Sequence, residues 1–264
     1  PLAATTSLGV TAPPLAATPT PTLLSVPLDM APSSFDDRYL GCVRAMTAAL
    51  PALNRSEFLT NTHFSQAWTV AAAEWRVRTS PRSPLSPAQA VAVLAYTAPL
   101  PLHRTFNAAV RAAGRSAREY RDDFHFKVLH FLLTNALRTL KDAEGGRCHH
   151  VHRGIGGVRL VAWPGRTVRF GHFASASLRP ESAGAFGSDT ELRVRTCQGA
   201  SIREFSFFPH EEEVLIPPFE TFNVTAVTQD GRGTRVWLNA TGATSNFNCQ
   251  WLRGDSEGTT GGGQ

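Results

Sequence analysis

The character of the chain changes at Gly145-Gly146, and this change constrains the fold more than any other feature. Before it, from residue 30 to residue 145, apolar residues recur at helical spacing, and Pro or Gly separates the repeats. The predicted helices span residues 35–50, 64–77, 86–96, 103–114 and 124–140. The last of them carries the strongest apolar stripe, with Phe124, Val128, Phe131 and Leu140 on one face.

After the glycine pair, from residue 146 to residue 252, the apolar segments become short and rich in β-branched or aromatic residues. The predicted strands span residues 151–155, 167–173, 191–196, 211–216, 222–228 and 234–239. Helices followed by strands are typical of an α+β fold. We expect an N-terminal helical half packed on a C-terminal, mainly antiparallel β core, together forming one domain over residues 30–252.

The two ends of the chain have a different composition. Residues 1–29 are rich in Pro, Ala and Thr and carry no charge before Asp29, which predicts a disordered N-terminal segment. Residues 253–264 are rich in Gly, Ser and Thr, which predicts a flexible tail where a lipid-anchor attachment site could lie. No apolar run approaches the about 18–20 residues of a membrane helix, so we expect no transmembrane segment.

Four widely spaced cysteines, without a Cys-x-x-Cys pair, indicate disulfides and argue against a zinc knuckle. Three pairings are open, and we favour Cys42 with Cys249 and Cys148 with Cys197. The first would tie the two ends of the folded region together. The second would close a loop of about 50 residues, which is worth roughly 4 kcal/mol in the chain-entropy model.

Cys148, His150 and His152 would share one face of a strand, which is a possible arrangement for a metal site. It would need a fourth ligand and a free thiolate, whereas the expected disulfide uses Cys148. We therefore predict no bound metal.

Three sequons and an even number of cysteines favour the oxidising secretory pathway and an extracellular protein, either secreted or lipid-anchored. The predicted glycosylation acceptors are Asn54, Asn223 and Asn239. The formal net charge of +5 favours acidic partners, but the basic residues are scattered along the chain. We expect no nucleic-acid binding.

Three short signals in the β half suggest a site. Arg153-Gly154 offers a planar guanidinium that suits a phosphate, next to a glycine that lets a ligand approach the backbone. Ser175 and Ser177 are short hydroxyl residues that can orient a carboxylate. Glu211 and Glu213 would lie about 6.5 Å apart on one face of a strand. Such a pair is typical either of a solvated strand edge or of a site that binds a cation or performs chemistry.

In this order the three signals resemble the vertebrate ecto-mono-ADP-ribosyltransferases of the arginine-serine-glutamate group. Residues 35–42, 124–131 and 207–222 also look like signatures of that family, and the resemblance covers about residues 30–252. The Glu-x-Glu form is similar to that of the arginine-modifying members. The resemblance implies that NAD is the co-substrate and that arginine-containing proteins are the targets.

The resemblance also implies roles for the site residues. Arg153 would hold the phosphate and ribose of NAD, and the backbone of Gly154 would bind the nicotinamide amide. Ser175 would orient the nicotinamide ribose and the catalytic carboxylate. Glu213 would stabilise the oxocarbenium-like transition state, and Glu211 would position and help deprotonate the acceptor guanidinium.

The less specific parts of the resemblance concern two loops. Residues 199–210 would present the target protein, with Phe207 or Phe208 as the aromatic contact, and Phe186 would stack on nicotinamide. The chain departs from the family at Ala176, where the family has Ser or Thr, and we expect a modest effect because this side chain points away from Ser175.

The function predicted from the sequence is therefore NAD–protein-arginine mono-ADP-ribosyltransferase, in a monomer. An NAD glycohydrolase is the nearest alternative among enzymes. A catalytically silent secreted glycoprotein that uses the same scaffold for binding is the alternative from another class.

Overall fold

The computed structural model describes residues 23–78, 83–184, 187–231 and 233–253. The helical half contains six α-helices before the glycine pair within these residues. They are α1 (Val43–Thr60), α2 (Thr62–Val77), α3 (Pro87–Thr97), α4 (Leu102–Ala112), α5 (Ala117–Asp122) and α6 (Lys127–Ala143). None of the described helices is both long and apolar enough to span a membrane.

Side-chain caps explain where two of these helices begin. The Asn61 side chain accepts a hydrogen bond from the backbone N–H of Phe64 and so starts α2. Ser86 and Gln89 form a reciprocal capping box at the start of α3, with Pro87 in the first turn. Helix α6 is buried on almost every side, including the predicted stripe, although it begins at Lys127 rather than at Phe124.

The prediction of a helix over residues 35–50 is wrong in its first half, because α1 begins only at Val43. The Asp37 side chain accepts the backbone N–H of Tyr39, a local bond that competes with helix formation. Tyr39 has a φ of +53°, a left-handed backbone conformation that cannot continue a right-handed helix. Phe35 and Tyr39 are nonetheless fully buried, so this irregular segment contributes side chains to the core.

The strands form one large mixed sheet and one small one. They are β1 (Leu24–Pro27), β2 (His149–Ile155), β3 (Val158–Val161), β4 (Thr167–Arg169), β5 (Ala174–Ser177), β6 (Thr190–Thr196), β7 (Ala200–Ser201), β8 (Glu213–Ile216), β9 (Glu220–Asp230) and β10 (Gly233–Ala243), with a short helix α7 (Pro180–Gly184) between β5 and β6. The large sheet has the order β4-β9-β10-β6-β2-β5-β8-β7. Its neighbouring strands are antiparallel except β10 and β6, which confirms the α+β fold with a mainly antiparallel sheet.

Two strand predictions and the extent of the predicted disordered segment are corrected. The segment 167–173 divides, because β4 ends at Arg169 and β5 begins at Ala174. The segment 211–216 is a strand only from Glu213, since Glu212 takes a left-handed conformation with a φ of +47°. Part of the predicted disordered segment 1–29 is ordered, because β1 pairs in parallel with β3. Residues 1–22 and 254–264 lie outside the described residues.

Two hydrophobic clusters lie on opposite faces of the large sheet. One joins the helices to Phe173, Ala200 and Leu215 of the β half. The other lies on the far face and includes Ala176 and Val214. The helical half is thus packed on the sheet through a shared core, and the sheet face that meets the helices carries the site described below.

Both expected disulfides are present. Cys42 is bonded to Cys249 and Cys148 to Cys197.

Candidate active site

The pairing of β5 with β8 brings the predicted hydroxyls and one carboxylate onto the same sheet face. Ser177 lies opposite Glu213, and Ser175 lies opposite Leu215. Because side chains alternate along a strand, these residues share the face that meets the helices. Ala176 lies on the other face, in the far-side cluster, and therefore points away from Ser175.

A cavity of about 250 Å³ opens at this point of the sheet. It is lined by residues from β2, the turn after β2, β5 and the start of β8, including Arg153, Gly154, Ser175, Glu211 and Glu213. The predicted residues Arg153, Ser175, Glu211 and Glu213 come from three separate segments of the chain, and the fold gathers all four around one cavity.

Arg153 is held against β5 by its own hydrogen bond. Its Nη1 donates to the backbone carbonyl of Ser175, which fixes the direction of the guanidinium. Burial lowers the pKa of Arg153, while Tyr96 and Glu213 oppose this effect. Arginine stays charged at all relevant pH values, so the cavity contains a fixed cation.

Glu213 is almost completely buried, with 7% of its surface exposed. Burial raises the pKa of Glu213 to about 7; the Ser175 hydroxyl lowers it, the Glu211 charge raises it, and Arg153 lowers it. A carboxylate in this setting is poised between its two protonation states near neutral pH.

Glu211 reaches the cavity by a different route from the one predicted. It ends a 3₁₀ turn (Pro209–Glu211) instead of belonging to β8. The Ser177 hydroxyl donates to the Glu211 carbonyl at 2.6 Å, which ties this turn to β5. The left-handed Glu212 then reverses the backbone before β8 begins. The two carboxylates therefore meet through a turn rather than through the alternation of a strand.

A second cavity, of about 410 Å³, adjoins the first. The two share Ser175, Glu211 and Glu213 as lining residues. The remaining wall is the end of α3, the loop into α4 and the first turn of α4, including Tyr96, His103 and Arg104, together with Phe208. The second volume is of the size that small-molecule sites have, and the shared lining places the two acids where the two cavities adjoin to form one cleft.

Tyr96 and Asn107 are parts of the site that the sequence analysis missed. The Tyr96 hydroxyl donates to the Phe173 carbonyl at 3.0 Å and lies 3.4 Å from the Ser175 Oγ. The Asn107 amide donates to the Tyr96 hydroxyl and accepts the Phe173 backbone N–H. Both are buried, so the helical half fixes the start of β5 and the Ser175 side chain. Neither residue belongs to a local sequence pattern that would single it out.

The two phenylalanines of the predicted target loop have different surroundings. Phe207 packs against the helical core, and its backbone N–H donates to the Thr97 hydroxyl. Phe208 lines the second cavity. Arg78 stabilises the loop by donating to the carbonyls of Glu204 and Ser206. Phe208 is thus the aromatic side chain available to a ligand.

Several other predicted residues are located as follows. Phe186 lies outside the described residues. Cys148 is in a disulfide and so is not available as a metal ligand. No cluster of three or more His, Cys, Asp or Glu side chains suited to a metal occurs in the part of the chain that the structure describes.

The chain matches known proteins along most of its length. A family model described as NAD:arginine ADP-ribosyltransferase matches residues 28–246. The rabbit (Oryctolagus cuniculus) protein named GPI-linked NAD(P)(+)--arginine ADP-ribosyltransferase 1 is 50% identical over 244 residues, covering 86% of this chain and 75% of the rabbit protein.

Among solved structures, the eukaryotic mono-ADP-ribosyltransferase ART2.2 is similar at a TM-score of 0.73 with 36% identity, covering 85% of this chain and 98% of that chain. A variant of ART2.2 solved in complex with NAD gives a TM-score of 0.72 with 35% identity and the same coverage.

Proposed function

This chain belongs to the NAD:arginine ADP-ribosyltransferase family, and from that premise we propose that it uses Arg153, Ser175, Glu211 and Glu213 to transfer ADP-ribose from NAD to arginine side chains of extracellular proteins. The observation that carries the proposal is the convergence of one guanidinium, one hydroxyl and two carboxylates on a single cavity. A scaffold that only bound a partner would not need a buried carboxylate with a pKa near neutrality.

NAD is held along the cleft formed by the two cavities. The guanidinium of Arg153 pairs with a phosphate, and the backbone of Gly154 approaches the nicotinamide amide closely. Phe186 stacks on the nicotinamide ring. The next residue in the chain, Gly187, supports this contact because it packs against Gly156 of the cavity wall. A Cβ added to Gly187 would lie 2.2 Å from the Gly156 nitrogen.

Cleavage of the bond between nicotinamide N1 and the ribose C1′ is the step that needs Glu213. The bond electrons leave with nicotinamide, which becomes neutral, and positive charge develops on the ribose. The ionised Glu213 carboxylate, oriented by Ser175, accepts a hydrogen bond from the ribose 2′-hydroxyl and stabilises this charge more than it stabilises the ground state. Glycoside hydrolases use carboxylates in the same way.

Transfer to arginine is the step that needs Glu211. A guanidinium is protonated at neutral pH and therefore is a poor nucleophile. Glu211 attracts the acceptor cation and takes a proton from it, and a guanidine nitrogen then forms the new bond to C1′. Phe208 contacts the acceptor side chain in this proposal, because it lines the second cavity together with Glu211.

The setting of the reaction is extracellular. Two disulfides fit an oxidising compartment, and the rabbit relative is named as GPI-linked. We propose that the chain acts at the cell surface or in secreted form, as a monomer, with Asn54, Asn223 and Asn239 as candidate glycosylation acceptors.

The proposal is tested by two substitutions measured in two assays. Glu213→Gln should reduce nicotinamide release and labelling of an arginine analogue together, by roughly a hundredfold or more, because a main electrostatic contribution is lost. Glu211→Gln should reduce arginine labelling while most NAD cleavage remains. The measurement is incubation with labelled NAD and agmatine, with the adduct and free ADP-ribose quantified separately.

The matched control is Glu212→Gln. Glu212 lies between the two acids but lines neither cavity and faces Arg203 at 3.6 Å. It should leave both activities nearly unchanged. Equal loss of both activities in the Glu211 variant would contradict separate roles, and absence of nicotinamide release by the unmodified chain would contradict an enzymatic function.

A further inference from the structure

The outer face of strand β10 carries an unusual arrangement of an aromatic residue and a sequon. Trp237 and Asn239 are two residues apart, so their side chains point to the same side of the sheet. Asn239 is exposed and Trp237 is half-buried, while the intervening Leu238 points into the far-side core. The Cα atoms of Trp237 and Asn239 are therefore about 6.5 Å apart along the strand.

A groove of about 390 Å³ runs beside these side chains. Its walls include Trp237, Asn239, Arg193 and Arg195. The Arg193 guanidinium lies 5.5 Å from the centre of the Trp237 ring. The Arg195 Nη1 donates to the Asn239 side-chain oxygen at 3.4 Å. The groove thus offers an aromatic surface, which suits the C–H face of a sugar, and N–H donors, which suit its hydroxyl and acetamide oxygens.

The second sequon of the sheet lies directly across from the first. Asn223 of β9 is paired in register with Asn239 of β10. Directly opposite residues share a sheet face, and their Cβ atoms are only about 5 Å apart. Asn223 is half-buried, has Thr167 of β4 as its other neighbour, and has no aromatic residue two positions before it. Asn239 also has two strand neighbours, Asn223 and Arg195, but Asn239 is exposed whereas Asn223 is only half-buried and less accessible to a modifying enzyme.

We propose that Asn239 carries an N-linked glycan whose first N-acetylglucosamine lies in this groove against Trp237, and that Asn223 stays unmodified in the same molecule. The donor is a lipid-linked oligosaccharide pyrophosphate of the secretory pathway. The Asn239 amide nitrogen loses a proton and forms a bond to the sugar's anomeric carbon, and the bond from that carbon to the lipid pyrophosphate breaks. This inference refines the prediction that all sequons are modified, and it does not depend on the enzymatic activity.

The occupancy is tested by site mapping. The whole chain, with Asn54→Gln to remove the remaining sequon, is secreted from mammalian cells and treated with peptide N-glycosidase in ¹⁸O-water, so that each modified Asn becomes a labelled Asp. Label at Asn239 and none at Asn223 is the expected result. Label at Asn223, alone or together with Asn239, or no label at either position, would overturn the proposal.

The contact with Trp237 is tested by thermal unfolding. Protein made with high-mannose glycans and trimmed by endoglycosidase H retains one sugar on Asn239, and Asn239→Asp is its matched sugar-free control. The trimmed protein should melt about 2–4 °C higher, as expected for one aromatic contact in a chain of this size. In a Trp237→Thr background the difference should disappear. Equal melting temperatures with Trp237 present, or an unchanged difference without it, would contradict the proposed contact.

Discussion

At the scale of single residues, the proposed mechanism makes NAD cleavage depend on the protonation state of Glu213. Burial is the largest influence and raises the pKa of Glu213 to about 7. The other influences are smaller and act in opposite directions, because Ser175 and Arg153 favour the charged form and Glu211 disfavours it. The same burial that keeps water from the carboxylate therefore also limits its ionisation at neutral pH.

This environment predicts a pH dependence for NAD cleavage. The protonated form of Glu213 cannot stabilise a cationic ribose, so kcat/KM for nicotinamide release should rise with pH and level off above an apparent pKa of about 7. Below that value the rate should fall about tenfold per pH unit. The measurement is nicotinamide release at low NAD concentration between pH 5 and 9, where kcat/KM reports groups of the free enzyme.

The neighbours of Glu213 provide the test of this assignment. Glu211→Gln removes a negative charge and should move the rising limb to lower pH, whereas Ser175→Ala should move it to higher pH. Glu212→Gln, whose side chain lies outside both cavities, should leave the profile in place. Shifts in the opposite directions would mean that another group controls the profile.

At the scale of elements, the turn before β8 shows what local patterns can and cannot predict. The apolar run that ends in Pro217-Pro218 identifies the strand, and the Glu-x-Glu pair identifies the acids. The start of the strand was not predictable, because the left-handed Glu212 depends on contacts with distant residues. The Glu212 carbonyl accepts the Leu178 backbone N–H, and Ser177 holds the Glu211 carbonyl.

The segment from Phe35 to Gly41 is a second element whose role was hidden in the sequence. Asp36 and Asp37 are completely buried. The Asp36 carboxylate accepts backbone N–H groups of Asn246 and Phe247 and pairs with Arg169 at 2.5 Å. A helical pattern could not reveal these partners, which lie more than 130 residues away. The family-like sequence of this segment therefore has a structural explanation, the attachment of the C-terminal segment.

This attachment predicts a large effect of Asp36→Asn on stability. The change leaves the Arg169 guanidinium buried without its counter-ion, which typically costs about 3–5 kcal/mol. Urea unfolding followed by fluorescence should show the loss as a lower midpoint. The matched control is Asp122→Asn, which removes the exposed partner of Arg118 and should cost less than about 1 kcal/mol. Similar losses of unfolding free energy in both variants would show that burial does not determine how much the Asp36–Arg169 pair contributes to stability.

At the scale of the whole molecule, the sheet face that carries the cleft depends on the helical half. The lining of one cavity by Arg153, Ser175 and the two acids could be expected because each belongs to a compact sequence pattern. Tyr96 and Asn107 could not, since their importance arises only when α3 and α4 pack against β5. The fold class was predictable from the order of patterns, whereas strand order and the pairing of β1 with β3 depend on contacts between residues far apart in sequence.

The Cys42–Cys249 disulfide closes a loop of the chain with a sequence separation of 207 residues, and it should act mainly on the unfolded state. In the chain-entropy model such a loop is worth roughly 5 kcal/mol, compared with roughly 4 kcal/mol for Cys148–Cys197. The native geometry around Cys249 has other supports, because Asp37 accepts the backbone N–H groups of Cys249 and Gln250. The folded state should therefore survive loss of the bond.

We accordingly expect the double variant Cys42→Ser, Cys249→Ser to unfold at a lower urea concentration than the unmodified chain. While the variant is folded, its rate of nicotinamide release at 20 °C should stay within about twofold of that of the unmodified chain. The corresponding Cys148→Ser, Cys197→Ser variant should lose about 1 kcal/mol less stability, because its loop is shorter. Both are measured by urea unfolding, with activity assayed in the absence of urea. A loss of activity in the folded Cys42 variant would contradict this expectation, because the disulfide would then be shaping the native cleft rather than restricting the unfolded chain.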